Sequence, residues 1–265
     1  MFALALLALL LQAGPPTTGI VYREVDGQRL MMDVYPAAGG SAKAPAVVVI
    51  HGGAWMTGDR EDMSDLCTAL SVNGMVAATV DYRLAPGSKW PAMLEDVRAA
   101  VRFLRTNAGR FGIDPNRVGA AGVSSGAHLA LMLGFSGSSS SRVMVVLNLF
   151  GPTDLTKDYS PFLAQAMAEQ VLGKDLADAI EDIRAFSPVT YVTSDDAPVF
   201  TVHGRADPLV PYVQAERLDE ALRGAGVPHT MLLIDGMGHG VEMDHKAEMQ
   251  AVSEGVAFMR ATLAR

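Results

Sequence analysis

The sequence of 265 residues contains a single cysteine, Cys67. One thiol cannot form an intrachain disulfide, and it cannot supply the cysteine clusters that hold structural zinc or iron–sulfur groups. Basic residues are also scarce, because 21 Lys and Arg stand against 29 Asp and Glu, which gives a net charge of −8. No basic run occurs, and binding to a phosphate backbone relies on clustered Lys and Arg, so we expect no nucleic-acid partner.

The apolar run at residues 2–11 is too short to cross a bilayer core of roughly 30 Å as a helix. Its length is that of the apolar region of a signal peptide, and Ala13 is a small residue that suits a cleavage point. Against this, no Lys or Arg precedes the run and Leu11 is large for its position, so a mis-assigned start or a plain apolar extension is the alternative. We therefore expect a signal peptide at residues 1–13, export to the periplasm or the medium rather than a cytoplasmic location, and no stable membrane anchor.

The rest of the chain has an ordinary globular composition, with 49% apolar and 19% charged residues. Its length suits one large domain, which we place at residues 14–265. From residue 20 onward, apolar segments of strand length alternate with segments of helical period, as in βαβ units. Continuous apolar runs fit parallel strands that are covered on both faces. We predict such strands at residues 47–50, 76–80, 118–121, 143–150 and 199–202.

Helical spacing between the strands is clearest after Pro91, which stands where the first turn of a helix tolerates proline. The apolar residues at this spacing are Met93, Val97, Ala100, Val101 and Leu104. Residues 151–191 break the alternation with short helical pieces, such as 162–172. We interpret this stretch as an insertion over one end of the sheet.

The sequence Gly-Val-Ser-Ser-Gly at 122–126 lies between a predicted strand and a helix-like run. A sharp turn there strains the backbone of Ser124 and exposes its hydroxyl, and the turn needs small residues two positions to either side. Gly122 and Gly126 meet that need. A glycine-rich turn before a helix can also bind phosphate, but no Gly-Lys-Ser/Thr follows. We predict Ser124 as a nucleophile.

A second glycine-rich segment, His-Gly-Gly-Ala-Trp at 51–55, directly follows the predicted strand 47–50. Glycines at that place let backbone amides point into a cavity, as the negative oxygen of an acyl-transfer intermediate requires. The alternative is a simple tight turn at the end of a strand. We favour an oxyanion-stabilising loop because the segment lies well upstream of the candidate nucleophile.

Six histidines compete for the role of the base that a nucleophilic serine needs. Where the serine stands at a strand-to-helix elbow, the acid and then the histidine follow it in the chain, each after a later strand. His239 fits this order, because it lies in a Gly-rich loop after a predicted strand at 230–234. The others have structural or surface interpretations: we expect His51, His128 and His203 to be structural and His229 and His245 to lie at the surface.

The orienting acid of such a site is expected between the serine and the histidine in the chain. Asp207 lies there, shortly after the predicted strand 199–202, and a carboxylate so placed holds one imidazole tautomer. Turn-capping roles explain the rival residues Asp154, Asp195, Asp235 and Asp244. A metal site made from Glu242, Asp244 and His245 with His239 has no recognised ligand spacing. We therefore expect neither a metal nor a cofactor.

Taken together, the segments at 51–55, 81–86 (Asp-Tyr-Arg-Leu-Ala-Pro) and 122–126, with Asp207 and His239, resemble the α/β-hydrolase superfamily. More narrowly, the chain resembles the hormone-sensitive-lipase-like and bacterial feruloyl-esterase-like carboxylesterases. The resemblance extends over about residues 20–258. It implies an α/β-hydrolase fold with a mostly parallel eight-stranded sheet, flanking helices and a small cap insertion near 151–191.

The resemblance also implies an esterase in which Ser124 attacks the ester carbonyl, His239 moves the proton and Asp207 orients His239. It places the oxyanion hole at the amides of Gly53, Ala54 and Ser125, and it gives structural roles to Asp81, Tyr82, Arg83 and Asp96. Ala54 departs from the pattern, because a third glycine is usual there. Ser125 replaces a more familiar alanine or aspartate, which matters little because the backbone N–H donates.

The stretch before residue 51 is too short for the full N-terminal cap of lipase-like relatives, so the insertion at 151–191 is expected to be the main cover of an open site. Candidates for the apolar walls are Trp55, Phe150, Phe162 and Met167, with Trp90 as a further one; each has a plain core role as its alternative. An open site on an exported protein favours short-acyl or polysaccharide-linked esters, such as acetyl or feruloyl esters.

Two other functions remain open from the sequence. One is a serine peptidase of the prolyl-oligopeptidase type, which uses the same three side chains on amides. The other is a non-catalytic binding protein of the same fold, although such proteins usually lack one of the three. Dehalogenase and epoxide-hydrolase chemistry needs an acidic nucleophile where Ser124 stands, and is excluded. The expected partner is a small-molecule or polysaccharide-linked ester, and the oligomeric state is not predicted.

Overall fold

The structure, a computed structural model, describes residues 14–40, 42–242 and 244–265. The predicted signal peptide at 1–13 lies outside the described residues and stays a prediction. One sheet contains eight strands in the described part of the chain. In chain order they are β1 (Thr17–Val25), β2 (Gln28–Tyr35), β3 (Ala44–Ile50), β4 (Val76–Val80), β5 (Ile113–Val123), β6 (Val146–Leu149), β7 (Val199–Gly204) and β8 (His229–Ile234).

The strands lie in the spatial order β1-β2-β4-β3-β5-β6-β7-β8. Only the pairs β1/β2 and β2/β4 are antiparallel, and every other neighbouring pair is parallel. This confirms the predicted mostly parallel eight-stranded sheet. Parallel strands direct all their carboxyl ends to one edge, and it is there that ligands bind in open α/β sheets.

Apolar residues on consecutive positions of β3 enter two different cores. Val47 and Val49 pack in one buried cluster, whereas Val48 and Ile50 pack in the other. Because successive side chains of a strand point to opposite faces, both faces of β3 are covered by protein. The continuous apolar run therefore has the physical cause that the sequence suggested.

The strand predicted at 143–150 is shorter in the structure, where β6 spans only Val146–Leu149. Val143 and Val145 are buried outside this strand. Their backbones bond irregularly, since the amide of Val143 donates to the carbonyl of Leu133 and the carbonyl of Val145 accepts from Ala120. The apolar run is longer than the strand because Val143 and Val145 are also buried, although they precede the strand.

Helices cover both faces of the sheet. The long helix α2 buries all five apolar residues that the sequence placed at helical spacing, while Pro91 stands one residue before its first turn. The helices are α1 (Ser64–Val72), α2 (Ala92–Thr106), α3 (Ala108–Phe111), α4 (Ser125–Phe135), α5 (Pro161–Met167), α6 (Ile180–Phe186), α7 (Val213–Ala225) and α8 (Lys246–Leu263). Shorter helical segments are Arg60–Met63, Ala168–Leu172, Leu176–Asp178 and Pro188–Tyr191. Among the described residues, none of the helices has the length and apolar character that crossing a membrane requires.

The predicted insertion at 151–191 carries α5, α6 and three of the short helical segments. Its base is fixed to α7 by the fully buried side chain of Gln214. The Gln214 Oε1 atom accepts hydrogen bonds from the amides of Thr153 (2.9 Å) and Asp154 (2.7 Å), and its Nε2 atom donates to the carbonyl of Lys157 (3.2 Å). These bonds satisfy backbone groups that would otherwise be buried without partners.

Candidate active site

Ser124 stands at the sharp turn between β5 and α4, with φ 53° and ψ −123°. This left-handed backbone conformation is rare for a residue with a side chain. Two glycines make the turn possible. A Cβ atom on Gly122 would lie 2.4 Å from the carbonyl carbon of Gly126, and one on Gly126 would lie 2.1 Å from the carbonyl oxygen of Ile50. Both contacts are too short for any other residue, so the predicted need for small neighbours has a steric cause.

The structure brings the three candidate side chains together in series. His239 lies in the loop after β8, and its Nε2 atom is 2.9 Å from the Oγ atom of Ser124. On the other side of the ring, the Nδ1 atom is 2.7 Å from the Oδ2 atom of Asp207. When Nδ1 carries the proton and donates it to the carboxylate, Nε2 has a free lone pair that faces the serine hydroxyl.

Asp207 lies in the loop after β7, and its side chain is buried. Its Oδ1 atom accepts hydrogen bonds from the amides of Leu209 and Val210, each at 2.9 Å. Burial opposes the ionisation of this carboxyl group, but the hydrogen bonds from His203, His239 and the two amides outweigh it and hold the pKa of Asp207 well below its ordinary value. The group is therefore a carboxylate at neutral pH.

His203 is a member of this network that the sequence interpretation missed, because it treated the residue only as the end of a strand. Its Nε2 atom lies 2.8 Å from the carbonyl oxygen of Val210 and 3.3 Å from Oδ2 of Asp207. One N–H is thus shared between two acceptors, and it supports the same carboxylate that His239 contacts. The sequence signal was its position four residues before Asp207 at the end of a parallel strand.

The loop after β3 contains three consecutive residues with left-handed backbone conformations. Gly53, Ala54 and Trp55 have φ values of 104°, 53° and 62°. A Cβ atom on Gly53 would lie 2.2 Å from the carbonyl oxygen of Thr57, so no other residue fits there. Within the described part of the chain, the amides of Gly53 and Ala54 donate to no protein acceptor. Ala54 adopts the strained conformation that a glycine adopts more readily, which explains why glycine is usual at this position.

Residues that follow β4 contact the glycine-rich loop after β3 and hold it in place. The ring of Tyr82 stacks on that of His51 with 4.3 Å between centroids, and its hydroxyl donates to the carbonyl of His51 at 3.1 Å. Burial lowers the pKa of His51, so its ring is neutral. Arg83 pairs with the buried carboxylate of Asp96, with Nε to Oδ2 at 2.9 Å. These residues contact the loop and its surroundings, not the reacting groups.

The neighbouring residue Asp81 holds the segment between β3 and α1. Its Oδ1 atom accepts from the amide of Arg60 at 3.1 Å, and its Oδ2 atom lies 3.0 Å from Nη1 of the same residue. Because the segment that follows the glycine-rich loop is tied to β4 in this way, the loop is anchored on both sides.

Two of the remaining histidines lie where the sequence indicated and one does not. His128 is buried, desolvation lowers its pKa to about 4, and its Nε2 atom bonds the carbonyl of Phe186 at 2.6 Å. His245 has a half-exposed side chain. The expectation that His229 lies at the surface was wrong, because its side chain is only 3% exposed and lies between Asp219 and Thr201. Two polar partners from other elements let this imidazole be buried.

A cavity of about 1070 Å³ opens in front of the serine and histidine. Three of the predicted wall residues, Trp55, Phe150 and Met167, line it. Neither lysine nor arginine is present among the described residues of its lining, and most of the wall is aliphatic. The cavity therefore has mostly apolar walls, and its lining also includes Asp62 and Asp65.

Phe162 was wrongly predicted as a wall residue, because it is 80% exposed and does not line the cavity. On the short helix α5, the residues that turn inward are Leu163, Ala166 and Met167, which share one face at helical spacing. Phe162 lies outside that face. Trp90 does not line the cavity either, since it packs against the buried ring of Phe186 with 4.5 Å between centroids.

The sequence interpretation missed the second wall of the cavity. It looked for cover only in the insertion at 151–191, but the opposite wall is formed by helices α1 and α8, whose apolar faces meet at the carboxyl edge of the sheet. The residues that they and the preceding helical turn contribute are Met63, Leu66, Ala69, Met249 and Val252.

The sheet, the serine at a strand-to-helix elbow, and a histidine and an aspartate on later loops define an α/β-hydrolase. The structural comparisons agree. A truncated carbohydrate esterase from gut microbiota superposes with a TM-score of 0.82 at 24% identity, and covers 96% of this chain and 98% of its own. Esterase 2 of Thermogutta terrifontis, in a form phosphonylated by sarin, gives a TM-score of 0.80 at 25% identity over 91% and 93% of the two chains.

The family model described as BD-FAE matches residues 32–222, and the chain therefore belongs to the BD-FAE family. Among curated proteins, esterase LipC of Mycobacterium tuberculosis is 29% identical over 81% of this chain and 57% of its own length. Esterase LipQ of the same organism is 29% identical over 76% of this chain and 51% of its own. The chain thus spans little more than half of these relatives.

Proposed function

We propose that this protein is a carboxylic ester hydrolase that works through an acyl-enzyme. The observation that carries the proposal is the unbroken hydrogen-bonded series from Ser124 Oγ through His239 to Asp207, with distances of 2.9 and 2.7 Å. The esterase names of the similar proteins support it.

In the first half of the reaction, Ser124 Oγ attacks the carbonyl carbon of the ester while His239 Nε2 takes the hydroxyl proton. The buried carboxylate of Asp207 holds the Nδ1–H tautomer and stabilises the imidazolium cation that forms. When the tetrahedral intermediate collapses, its bond to the alcohol oxygen breaks, and His239 returns the proton to that oxygen. The alcohol leaves and the acyl group stays on the serine.

In the second half, water takes the place of the alcohol. His239 removes a proton from the water, the hydroxide attacks the acyl-serine, and the carboxylic acid leaves as the serine regains its proton. In both halves, the amides of Gly53, Ala54 and Ser125 donate to the negative oxygen. The amides of Gly53 and Ala54, which have no acceptor in the described part of the protein, support this role, and removing one such donor typically costs about 3 kcal/mol of transition-state stabilisation.

The proposed substrates are short-acyl or polysaccharide-linked esters, with the feruloyl class ahead of acetyl. Burial of an aromatic acyl group in a mostly apolar cavity of about 1070 Å³ makes the free energy of binding more favourable. An acetyl group fills little of this cavity. The similar protein from gut microbiota is a carbohydrate esterase by name, and this supports a sugar as the alcohol. Methyl ferulate, acetylated xylan and p-nitrophenyl acetate distinguish these classes.

The test compares the wild type with Ser124→Ala and, as a matched control, with Ser140→Ala in an exposed loop. We expect ester hydrolysis by the wild type and the control, and a loss of more than a thousandfold in Ser124→Ala. A fluorophosphonate probe is expected to label the wild type and not Ser124→Ala. An unlabelled wild type without esterase activity would establish a binding protein, and faster cleavage of peptide nitroanilides than of esters would establish a peptidase.

We also propose that the protein is exported after cleavage behind Ala13. The length of the N-terminal apolar run supports this proposal. Expression of the full chain in a bacterial host, followed by fractionation and intact-mass measurement, tests it. We expect a periplasmic or secreted product that lacks the first thirteen residues; a full-length cytoplasmic product would contradict it.

A further inference from the structure

Phe150 has a backbone conformation that its residue type does not favour. Its φ is 45°, in the left-handed region where a bulky side chain is an outlier. In the described residues, five other non-glycine residues have positive φ values, and two of them are aspartates, which tolerate this region. The remaining three, Ala54, Trp55 and Ser124, belong to the two loops already assigned to the reaction. Strained residues cluster at functional sites, so the strain at Phe150 calls for a functional explanation.

The side chain of Asn148 holds this kink in place. Asn148 is fully buried on β6, and its Oδ1 atom accepts a hydrogen bond from the amide of Gly151 at 3.0 Å. The amide of Phe150 itself donates to the carbonyl of Val202 at 2.8 Å. A Cβ atom on Gly151 would lie 2.6 Å from the Asn148 Oδ1 atom, so the chain can approach this closely only with glycine. The peptide units on both sides of Phe150 are thus fixed.

A buried polar network in turn fixes Asn148. Its Nδ2 atom donates to Oγ1 of Thr201 at 3.1 Å, and that hydroxyl lies 3.0 Å from Nε2 of His229. His229 is held at its other nitrogen by Asp219 at 3.1 Å. Satisfied buried networks of this kind restrict side chains to one arrangement.

The kink places the ring of Phe150 against the imidazole of His239, with 5.0 Å between centroids and 67° between planes. The two nitrogens of that imidazole face Asp207 and Ser124. The imidazole turns about its Cα–Cβ and Cβ–Cγ bonds, and its proton transfer depends on the direction in which the two nitrogens point. An aromatic ring packed against the imidazole limits this turning.

We propose that Phe150 is a positioning residue that orients the imidazole of His239, and that Asn148 holds Phe150 in the strained conformation this requires. The proposal rests on the proposed function, because orientation matters only if His239 transfers the proton. Phe150 also lines the cavity, so a wall residue that only contacts substrate is the competing explanation.

The test measures kcat and KM for Phe150→Leu, Asn148→Ala and the matched control Phe200→Leu, with kcat expressed per site labelled by fluorophosphonate. Phe200 is a buried phenylalanine in the core, 4% exposed, whose ring packs against Phe258. We expect kcat to fall about tenfold in Phe150→Leu, because misplaced catalytic groups cost rate rather than affinity, while KM changes less than twofold. Asn148→Ala is expected to show the same pattern and Phe200→Leu an unchanged kcat.

A higher KM with an unchanged kcat in Phe150→Leu would overturn the proposal and establish a wall role. An equal loss in Phe200→Leu would overturn it too, because the effect would then be one of general core packing. If the wild type hydrolyses no ester, the proposed function itself fails. This outcome differs from a failure of the positioning role, which is judged by changes in kcat and KM of an active enzyme.

A second, independent observation concerns a polar cavity of about 530 Å³ at the opposite end of α4 from Ser124. Its lining residues are Arg23, Glu95, Arg98, Arg102, Ser136, Ser138 and Ser141. Arg23 is paired with the buried carboxylate of Asp96. Arg98 and Arg102 stand one turn apart on α2 and carry positive charge in a chain whose net charge is −8.

Neither of these two arginines has a carboxylate partner within ion-pair distance among the described residues. Arg98 donates from Nη2 to the carbonyl oxygen (2.7 Å) and the hydroxyl (2.9 Å) of Ser136, while its buried Nε has no acceptor. Burial lowers the pKa of Arg98, the charge of Arg102 lowers it further, and Tyr191 and Glu95 oppose this lowering. For Arg102 the described residues supply neither a hydrogen bond nor an ion pair. The carboxylate of Glu95 also lines the cavity, but it pairs with Arg83 at 3.3 Å. A partly buried cation without an ion-pair partner is costly, and an anion relieves that cost.

We infer that this cavity binds a tetrahedral oxyanion, such as a phosphate or sulfate group, between Arg98, Arg102 and the hydroxyl of Ser138. Guanidinium groups donate two N–H bonds to such an anion, and hydroxyls add further donors. Calorimetry with inorganic phosphate at constant ionic strength tests this on the wild type, Arg102→Gln and the control Arg29→Gln. Arg29 is an exposed arginine elsewhere on the surface.

We expect saturable phosphate binding by the wild type and by Arg29→Gln, and at least fivefold weaker binding by Arg102→Gln. Circular dichroism checks that the two variants are folded, which is expected because Arg29 and Arg102 are exposed. Heat of binding no larger than with chloride, or an equal loss in Arg29→Gln, would overturn the inference.

Discussion

The Nε2 atom of His203 lies 3.3 Å from the Oδ2 atom of Asp207, the same oxygen that faces His239. Asp207 thus has one histidine on its structural side and one on its reactive side. The first histidine is fully buried and also bonds the carbonyl of Val210. His203 thus holds the carboxylate in the position from which it orients His239.

This relationship predicts the effect of removing His203. We expect His203→Phe to lower kcat/KM by roughly ten- to a hundredfold, because a hydrogen bond to a charged group typically contributes about 1.5–3 kcal/mol. Steady-state hydrolysis of p-nitrophenyl acetate measures the change. Ser71→Ala is the control, since Ser71 is a buried residue whose hydroxyl donates to the carbonyl of Pro36 at 2.6 Å and does not touch Asp207. An equal loss in both variants would contradict a role through Asp207.

The low pKa of Asp207 predicts a dependence of stability on pH. Because the pKa is depressed in the folded state, this carboxylate stabilises the fold above the ordinary Asp pKa of about 3.9, and the contribution is lost as the pH falls toward the folded-state pKa. We therefore expect the free energy of unfolding of the wild type to fall more steeply below pH 4 than that of Asp207→Asn. Urea denaturation from pH 7 down to pH 3 measures both curves. Parallel curves would show that other carboxylates dominate.

The close packing of Gly126 predicts that even a methyl group is not tolerated there. The added Cβ of Gly126→Ala would lie 2.1 Å from the carbonyl oxygen of Ile50, so β3 or the elbow must shift. We expect a loss of about 1–3 kcal/mol in the free energy of unfolding and near-complete loss of activity. Gly109→Ala is the control, because no atom lies within 4 Å of its added Cβ. We expect that variant to be as stable as the wild type or more so.

The wall formed by α1 predicts how acyl size can be altered. Ala69→Phe places a ring in the cavity, so we expect kcat/KM for methyl ferulate to fall roughly tenfold or more relative to p-nitrophenyl acetate. Ala257→Phe, on the exposed face of α8, is the control and is expected to leave the ratio unchanged. If Ala69→Phe slows both substrates equally, the aromatic group does not occupy this side of the cavity.

The features that the sequence predicted depend on short stretches of chain. The two glycines around Ser124 are required by contacts within one turn and with the neighbouring strand, and the run at 47–50 reports burial on both faces. Such patterns are local and can be read from one short segment, and the resemblance to a known family then implied the rest of the sheet. The order of Asp207 and His239 after the serine followed from the same topology.

The features that the sequence did not predict depend on distant partners. Burial of His229 is possible only because Asp219 and Thr201 meet it from other elements, and no local pattern shows this. Phe162 is exposed because of how a two-turn helix is rotated about its own axis. The next residue, Leu163, already faces the cavity, and the sequence does not show which of the two points inward. The second cavity wall joins α1 and α8, which lie far apart in the chain.

The packing of Gly126 on the carbonyls of Ile50 and His51 couples the serine elbow to the glycine-rich loop. A displacement of β3 moves both together, so the chemical machinery behaves as one rigid part. The helices that line the cavity do not pack on Gly126. Changes in those helices can alter which esters fit while the reaction centre keeps its shape, and substrate range is therefore free to diverge faster than chemistry.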